Sequence, residues 1–227
     1  MTIELSKINH HGVNEVKAYQ LLFKNNIPVP KYSIVQSEIE AVKEARKIGF
    51  PIVMKIVSDD IPHKSDVGGV ITNVISKDQV TSAYKNIIRQ ISNNIPKARI
   101  NGVLLSKQEP KGTEVVVGMI RDPQFGPTMM FGLGGLFVEI LKDVSFRICP
   151  VDRIDVEEMI NEIKGKQVLL GYRGKPKLDI DSIADIIINV SNLTIENPNI
   201  MEIDLNPIIV YEKGAVVVDA KLFVNEK

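Results

Sequence analysis

The chain has 227 residues, 44% apolar and 25% charged, which suits a soluble globular protein with one large domain or two small lobes. Its 28 basic and 28 acidic side chains cancel, which argues against general nucleic-acid binding, and the 5% aromatic content without Trp disfavours base-stacking platforms. A lone Cys149 excludes an internal disulfide; with no run of membrane length and no apolar stretch in Met1–Lys7, the expected location is the cytoplasm, with no membrane partner.

Residues 14–25 predict a helix with Val16, Tyr19, Leu22 and Phe23 on one face. Pro28 and Pro30 stop it, because proline lacks an N–H and restricts its predecessor. Ser37-Glu38-Ile39-Glu40 reads as a capping box opening a second helix that ends at Gly49. Pro51–Val57 reads as a strand with one charge, Lys55, followed by the loop Pro62-His63-Lys64-Ser65-Asp66-Val67-Gly68-Gly69-Val70. A strand over 69–75 and a helix from Ser76 to about Asn93 complete an expected mixed lobe of residues 1–95. The second expected lobe, 96–227, starts with strands at Val103–Lys107, Glu114–Ile120 and Thr128–Phe131. Helices over 155–164 and 181–195 and a hairpin of 200–211 with 215–224 follow. The elements lack a regular βαβ rhythm, which predicts the α+β class.

Several clusters carry chemistry. The His63 loop combines a nucleophile able to accept a phosphoryl group, a cation, hydroxyl and carboxylate groups and a glycine pair. A single loop histidine is otherwise an exposed residue, the reading given to His10 and His11. Lys55 would share a face with Val53 and Val57. It either sits at an edge, reaching for water, or meets an anion such as a nucleotide phosphate. Gly132-Leu133-Gly134-Gly135 is an anion cradle or simply a turn, and neither a dinucleotide fingerprint nor a P-loop is present. Arg147 belongs to a solvated face or clamps a phosphate. Strict alternation over 200–206 puts Glu202, Asp204 and Asn206 on one face. With an even-membered loop, Asp219 returns opposite or diagonal to Asn206. Such an oxygen set is the polar side of an amphipathic strand, or a Mg²⁺ site completed by substrate phosphates.

Together these segments resemble the ATP-grasp domain. The stretch from Asn14 to Lys55 resembles its opening helix, proline turn and phosphate-binding strand, and Asp204-Leu205-Asn206-Pro207 with Asp219-Ala220-Lys221 resembles its metal-binding strands. More narrowly, Ile61–Val70, Gly112-Thr113-Glu114-Val115, Asp122–Pro127 and Gly134–Glu139 resemble the β subunit of ADP-forming acyl-CoA synthetases over nearly the whole chain. The resemblance implies two lobes clamping ATP or ADP. It places Lys55 at the phosphates, Gln108, Glu109 and Pro110 at an adenine-holding hinge, and Glu114 near the ribose, while Ser65, Gly68 and Gly69 of the His63 loop are further nucleotide-binding candidates. Asp204, Asn206 and Asp219 would hold Mg²⁺, and His63 would relay the phosphoryl group; Lys55 and Arg147 are the other catalytic candidates. It also implies a separate α subunit, carrying the CoA-binding domain and a first phosphohistidine, in an α₂β₂ assembly. A succinyl-CoA-ligase-like β subunit, a carboxylate ligase of the same fold without a phosphohistidine, and a non-catalytic nucleotide-binding module are the rival readings.

Overall fold

The computed structural model describes residues 10–61 and 64–225, so His63 lies outside the described residues. The elements run β1 (His10–Val13), α1 (Glu15–Lys24), β2 (Tyr32–Val35), α2 (Glu38–Ile48), β3 (Ile52–Val57), β4 (Val70–Val74), α3 (Lys77–Asn94), β5 (Gly102–Lys107), β6 (Thr113–Asp122) and β7 (Gly126–Leu133). There follow α4 (Leu136–Glu139), β8 (Val144–Ile148), α5 (Arg153–Glu162), α6 (Gln167–Leu170), α7 (Ile180–Glu196), β9 (Ile200–Val210), β10 (Ala215–Val217) and β11 (Ala220–Asn225).

One compact unit comprises Asn14–Gln20 and Val29–Lys111. Its antiparallel sheet has the order β2-β5-β3-β4. Helices α2 and α3 begin where Ser37 and Ser76 accept hydrogen bonds from the backbone N–H groups of Glu40 and Gln79. Their apolar stripes, including Ala41, Ala45, Val80, Ile87 and Ile91, pack with Ile52, Met54 and Ile56 of β3 in one core. The expected division at residue 95 differs from this arrangement. Strand β5, expected to open the second lobe, pairs with both β2 and β3. Val103, Leu104 and Leu105 are fully buried there, as a central strand requires, and the units part between Lys111 and Gly112.

The other unit comprises β1, Leu21–Pro28 and the chain from Gly112 onward. Its sheet follows β1-β11-β9-β6-β7-β8, with β10 also on β9. The sequence reading contained neither β1 nor β8. Inward residues Met119, Met129 and Ile203 lie in register across β6, β7 and β9, and all three are buried. Helices α5 and α7 pack on this sheet and on each other. Helix α1 is shared, with its first turn in the former unit and its end in this one. Phe23, expected on its buried face, is 71% exposed; the inward stripe is Glu15, Ala18, Tyr19 and Leu22, at helical spacing.

Asp179 ties two parts of this second unit together. Its carboxylate accepts from Ser182 N at the start of α7 and from Gly214 N in the turn between β9 and β10, at 3.0 and 2.7 Å. The Gly214 bond leads in holding its carboxyl below the usual range. Asp179→Ala is expected to cost about 1–2 kcal/mol in urea unfolding, whereas Asp179→Asn, still a capping side chain, costs less. Equal stability of the alanine variant would contradict this role.

Candidate active site

In the first unit the chemistry centres on α1 and β3. Asn14 accepts from Lys17 N, which starts α1 and places Glu15 in its first turn. Because Glu15 lies on the apolar stripe, its carboxylate is carried inward and is only 3% exposed. It accepts from Lys55 Nζ at 2.6 Å through one oxygen and from Lys64 Nζ at 2.5 Å through the other. Burial works against its charge, but the two ammonium groups outweigh that and leave the Glu15 carboxyl below the usual range. Lys55 is 9% exposed, so the edge or water-reaching reading of the sequence does not describe it. The anion it needed includes a carboxylate of this same chain. Two lysines and one glutamate leave the cluster with a net charge of +1.

Lys64 begins the turn that leads back into the sheet. Gly69 N donates to Lys64 O, Gly68 N to Ser65 O, and Ile56 N to Gly69 O. Gly68 has φ +73°, and a Cβ on Gly69 would come within 2.6 Å of the Ile56 side chain. The glycine pair therefore closes the loop tightly onto β3, next to Lys55. Ser65 is exposed on this turn.

In the second unit the hairpin has the register anticipated. Ala220 faces Leu205, Lys221 faces Asp204, and Asn206 N donates to Asp219 O at 3.2 Å. Asp219 therefore lies opposite Asn206, between β10 and β11. Asp204 carries the field of Asp219: burial first, and Asp219 in addition, raise its carboxyl above the usual range, while Lys221 partly offsets them. The residue across from Asp204 on β6 is Gly118, and Met130 then Phe146 continue the row. A side chain at Gly118 would stand on the same sheet face as Asp204, so glycine keeps that face low. Two carboxylates and an amide oxygen fit a hard divalent cation that phosphate oxygens also hold. Among the described residues, His, Cys, Asp and Glu form no cluster of three or more suited to a metal, which leaves Asn206 and an outside ligand to complete such a set.

The remaining candidates divide. Gln108, Glu109 and Pro110 lie in the segment joining β5 to β6, where the chain leaves the first unit. Gln108 Oε1 accepts from Asn73 N at 2.5 Å, and Gln108 N donates to Pro51 O. Glu114 is exposed near the start of β6, and its carbonyl accepts from Gly134 N. Arg147 is engaged by carboxylates of its own unit. Its guanidinium bonds Glu158 and Glu162 at 3.0 and 2.6 Å, binding β8 to α5. Those carboxylates raise its already high pKa further, Glu162 foremost. The acidic spacing on α5 was visible in the sequence, but β8 was not, so the pairing was missed. Glu15 was missed as well, although a charge on an apolar helix stripe and a lone lysine in an apolar strand form a complementary pair of signals.

A family model described as an ATP-grasp domain matches residues 5–224. The chain is 48% identical to the β subunit of acetate–CoA ligase (ADP-forming) I of Pyrococcus furiosus, over 97% of this chain and 95% of that subunit. It is also 48% identical to acetate–CoA ligase (ADP-forming) I of Archaeoglobus fulgidus, covering 97% of this chain but 31% of that longer protein. Dinucleotide-forming acetyl-coenzyme A synthetase 1 of Ca. Korarchaeum cryptofilum, solved with coenzyme A and Ca-AMPCP, superposes with a TM-score of 0.92 at 46% identity, over 95% of this chain and 94% of that one. In a further complex of that enzyme, with Mg-AMPPCP, a phosphohistidine segment points towards the nucleotide-binding site; there the TM-score is 0.83 at 43% identity, over 95% and 93% of the two chains. The chain belongs to the ATP-grasp family, among the β subunits of ADP-forming acetate–CoA ligases.

Proposed function

We propose that this chain is the nucleotide-binding β subunit of an ADP-forming acyl-CoA synthetase, which runs acyl-CoA + ADP + phosphate ⇌ acid + CoA + ATP. The observation that carries the proposal is the joint presence of the Lys55–Glu15–Lys64 cluster, with Lys64 next to His63 in sequence, and the oxygen set on β9, in a chain that matches a β subunit over 97% of its length. The partner is an α subunit with the CoA-binding domain and first phosphohistidine, in an α₂β₂ assembly. The relatives support the existence of a partner chain: one is a β subunit matched over 95% of its length, and another carries the matching region as 31% of a longer chain.

In the proposed reaction His63 accepts the phosphoryl group from the partner and passes it to ADP. An oxygen of the ADP β-phosphate attacks phosphorus, the P–N bond breaks, and its electron pair returns to the imidazole. Lys55 holds the phosphates by charge-assisted hydrogen bonds, and Ser65 with the Gly68–Gly69 turn lies along them. Gln108 and Glu109 hold the adenine, and Glu114 the ribose. Asp204, Asn206 and Asp219 hold magnesium, which when bound offsets phosphate charge. The carboxylate-ligase alternative predicts no phosphoryl group on this chain.

Two variants test the reading. In the enzyme reconstituted with its α subunit, His63→Ala is expected to keep ADP affinity within about twofold and to lose turnover by at least about a thousandfold, since a covalent relay has no substitute. Normal turnover would end the relay role. Asp204→Asn removes a half-buried charge that lies in the field of Asp219, so thermal stability should hold or rise while the Mg²⁺-dependent part of ADP affinity falls about tenfold or more. Unchanged magnesium dependence would remove this residue from the site.

A further inference from the structure

We propose that Glu15 is a positioning residue that sets the two lysines of the phosphate site as a fixed pair. The inference rests on the reading of Lys55 as a phosphate-binding residue and extends it to Lys64 and to the carboxylate between them.

The geometry is specific. Glu15 enters from the first turn of α1, Lys55 from the middle of β3, and Lys64 from the loop that carries His63. Each carboxylate oxygen serves one lysine, so one buried group fixes both ammoniums. A lysine side chain has four rotatable bonds, and holding it in one place costs rotamer entropy that a binding event would otherwise bear. Glu15 meets that cost in the folded protein before nucleotide arrives. An ammonium has three N–H donors, and the carboxylate takes one from Lys64, leaving its others directed by that bond. The Glu15 side chain is 1% exposed and so cannot easily turn away to water.

A simple counter-ion and a positioning group predict opposite signs. Removing a mere counter-ion raises the local charge from +1 to +2, which should tighten an anionic ligand. Removing a positioning group frees Lys64 and takes from buried Lys55 the carboxylate that orients it, which should weaken the same ligand.

The test uses the complex with the α subunit and measures ADP affinity by calorimetry, together with KM for ADP and for acyl-CoA. Glu15→Gln is expected to weaken ADP about tenfold despite the added positive charge, equivalent to about 1.4 kcal/mol. Glu15→Asp keeps the charge but is one methylene too short to reach both lysines, and about a threefold loss is expected. The acyl-CoA KM, set in the partner, should stay unchanged; a general structural defect would not confine its effect to nucleotide. Lys55→Ala and Lys64→Ala run as controls. If both lysine variants weaken ADP while Glu15→Gln tightens it or leaves it alone, or Glu15→Asp matches the wild type, the positioning role is overturned and the phosphate reading survives. If neither lysine variant changes ADP affinity, the phosphate reading falls and this inference falls with it. Should Glu15→Gln fail to fold, the aspartate variant decides by itself.

Discussion

The ion cluster of Glu15, Lys55 and Lys64 is the constraint on which the first unit's chemistry depends. A lysine cannot sit 9% exposed in the middle of a four-stranded sheet without an anion, and the chain supplies one from the start of α1. That single carboxylate links a helix, a strand and the loop after it. Its cost in desolvation is offset by two cations rather than one, so the cluster keeps a net positive charge, which suits a phosphate ligand. A simple Lys–Glu pair would have been neutral.

The second unit solves the opposite problem, concentrating negative charge. Antiparallel register brings Asp219 against Asn206 and leaves Asp204 facing Lys221. Burial and Asp219 make the ionised form of Asp204 expensive, and Lys221 partly offsets them. Gly118 contributes by what it lacks, since any larger side chain would rise from the sheet beside Asp204. The stability of the hairpin turn comes from elsewhere, through the Asp179 link from α7 to Gly214.

Much of this was legible in the residues. The period of two in β9 foretold which oxygens share a face, and serine caps marked the starts of α2 and α3. Motifs carried by local spacing were therefore readable. What escaped was pairing at long range. Nothing local told that β5 belongs with β3, that β8 exists, or that Arg147 would be held by α5. Glu15 lies 40 residues from Lys55, and each looked anomalous alone. The lone charge on each apolar surface was the signal, and only the fold shows that they neutralise one another. Phe23 misled for the reverse reason: it is apolar and at an acceptable spacing, yet the helix turns Glu15 inward and leaves Phe23 to solvent.

On the proposed reading, this chain itself carries the phosphoryl group between the partner subunit and ADP. Incubation with γ-labelled ATP and Mg²⁺, followed by denaturation and peptide mapping, tests it directly. The account predicts acid-labile, base-stable label on the peptide containing His63, lost on adding ADP. Label that stays on the nucleotide, or appears only on the carboxylic acid substrate, would contradict it.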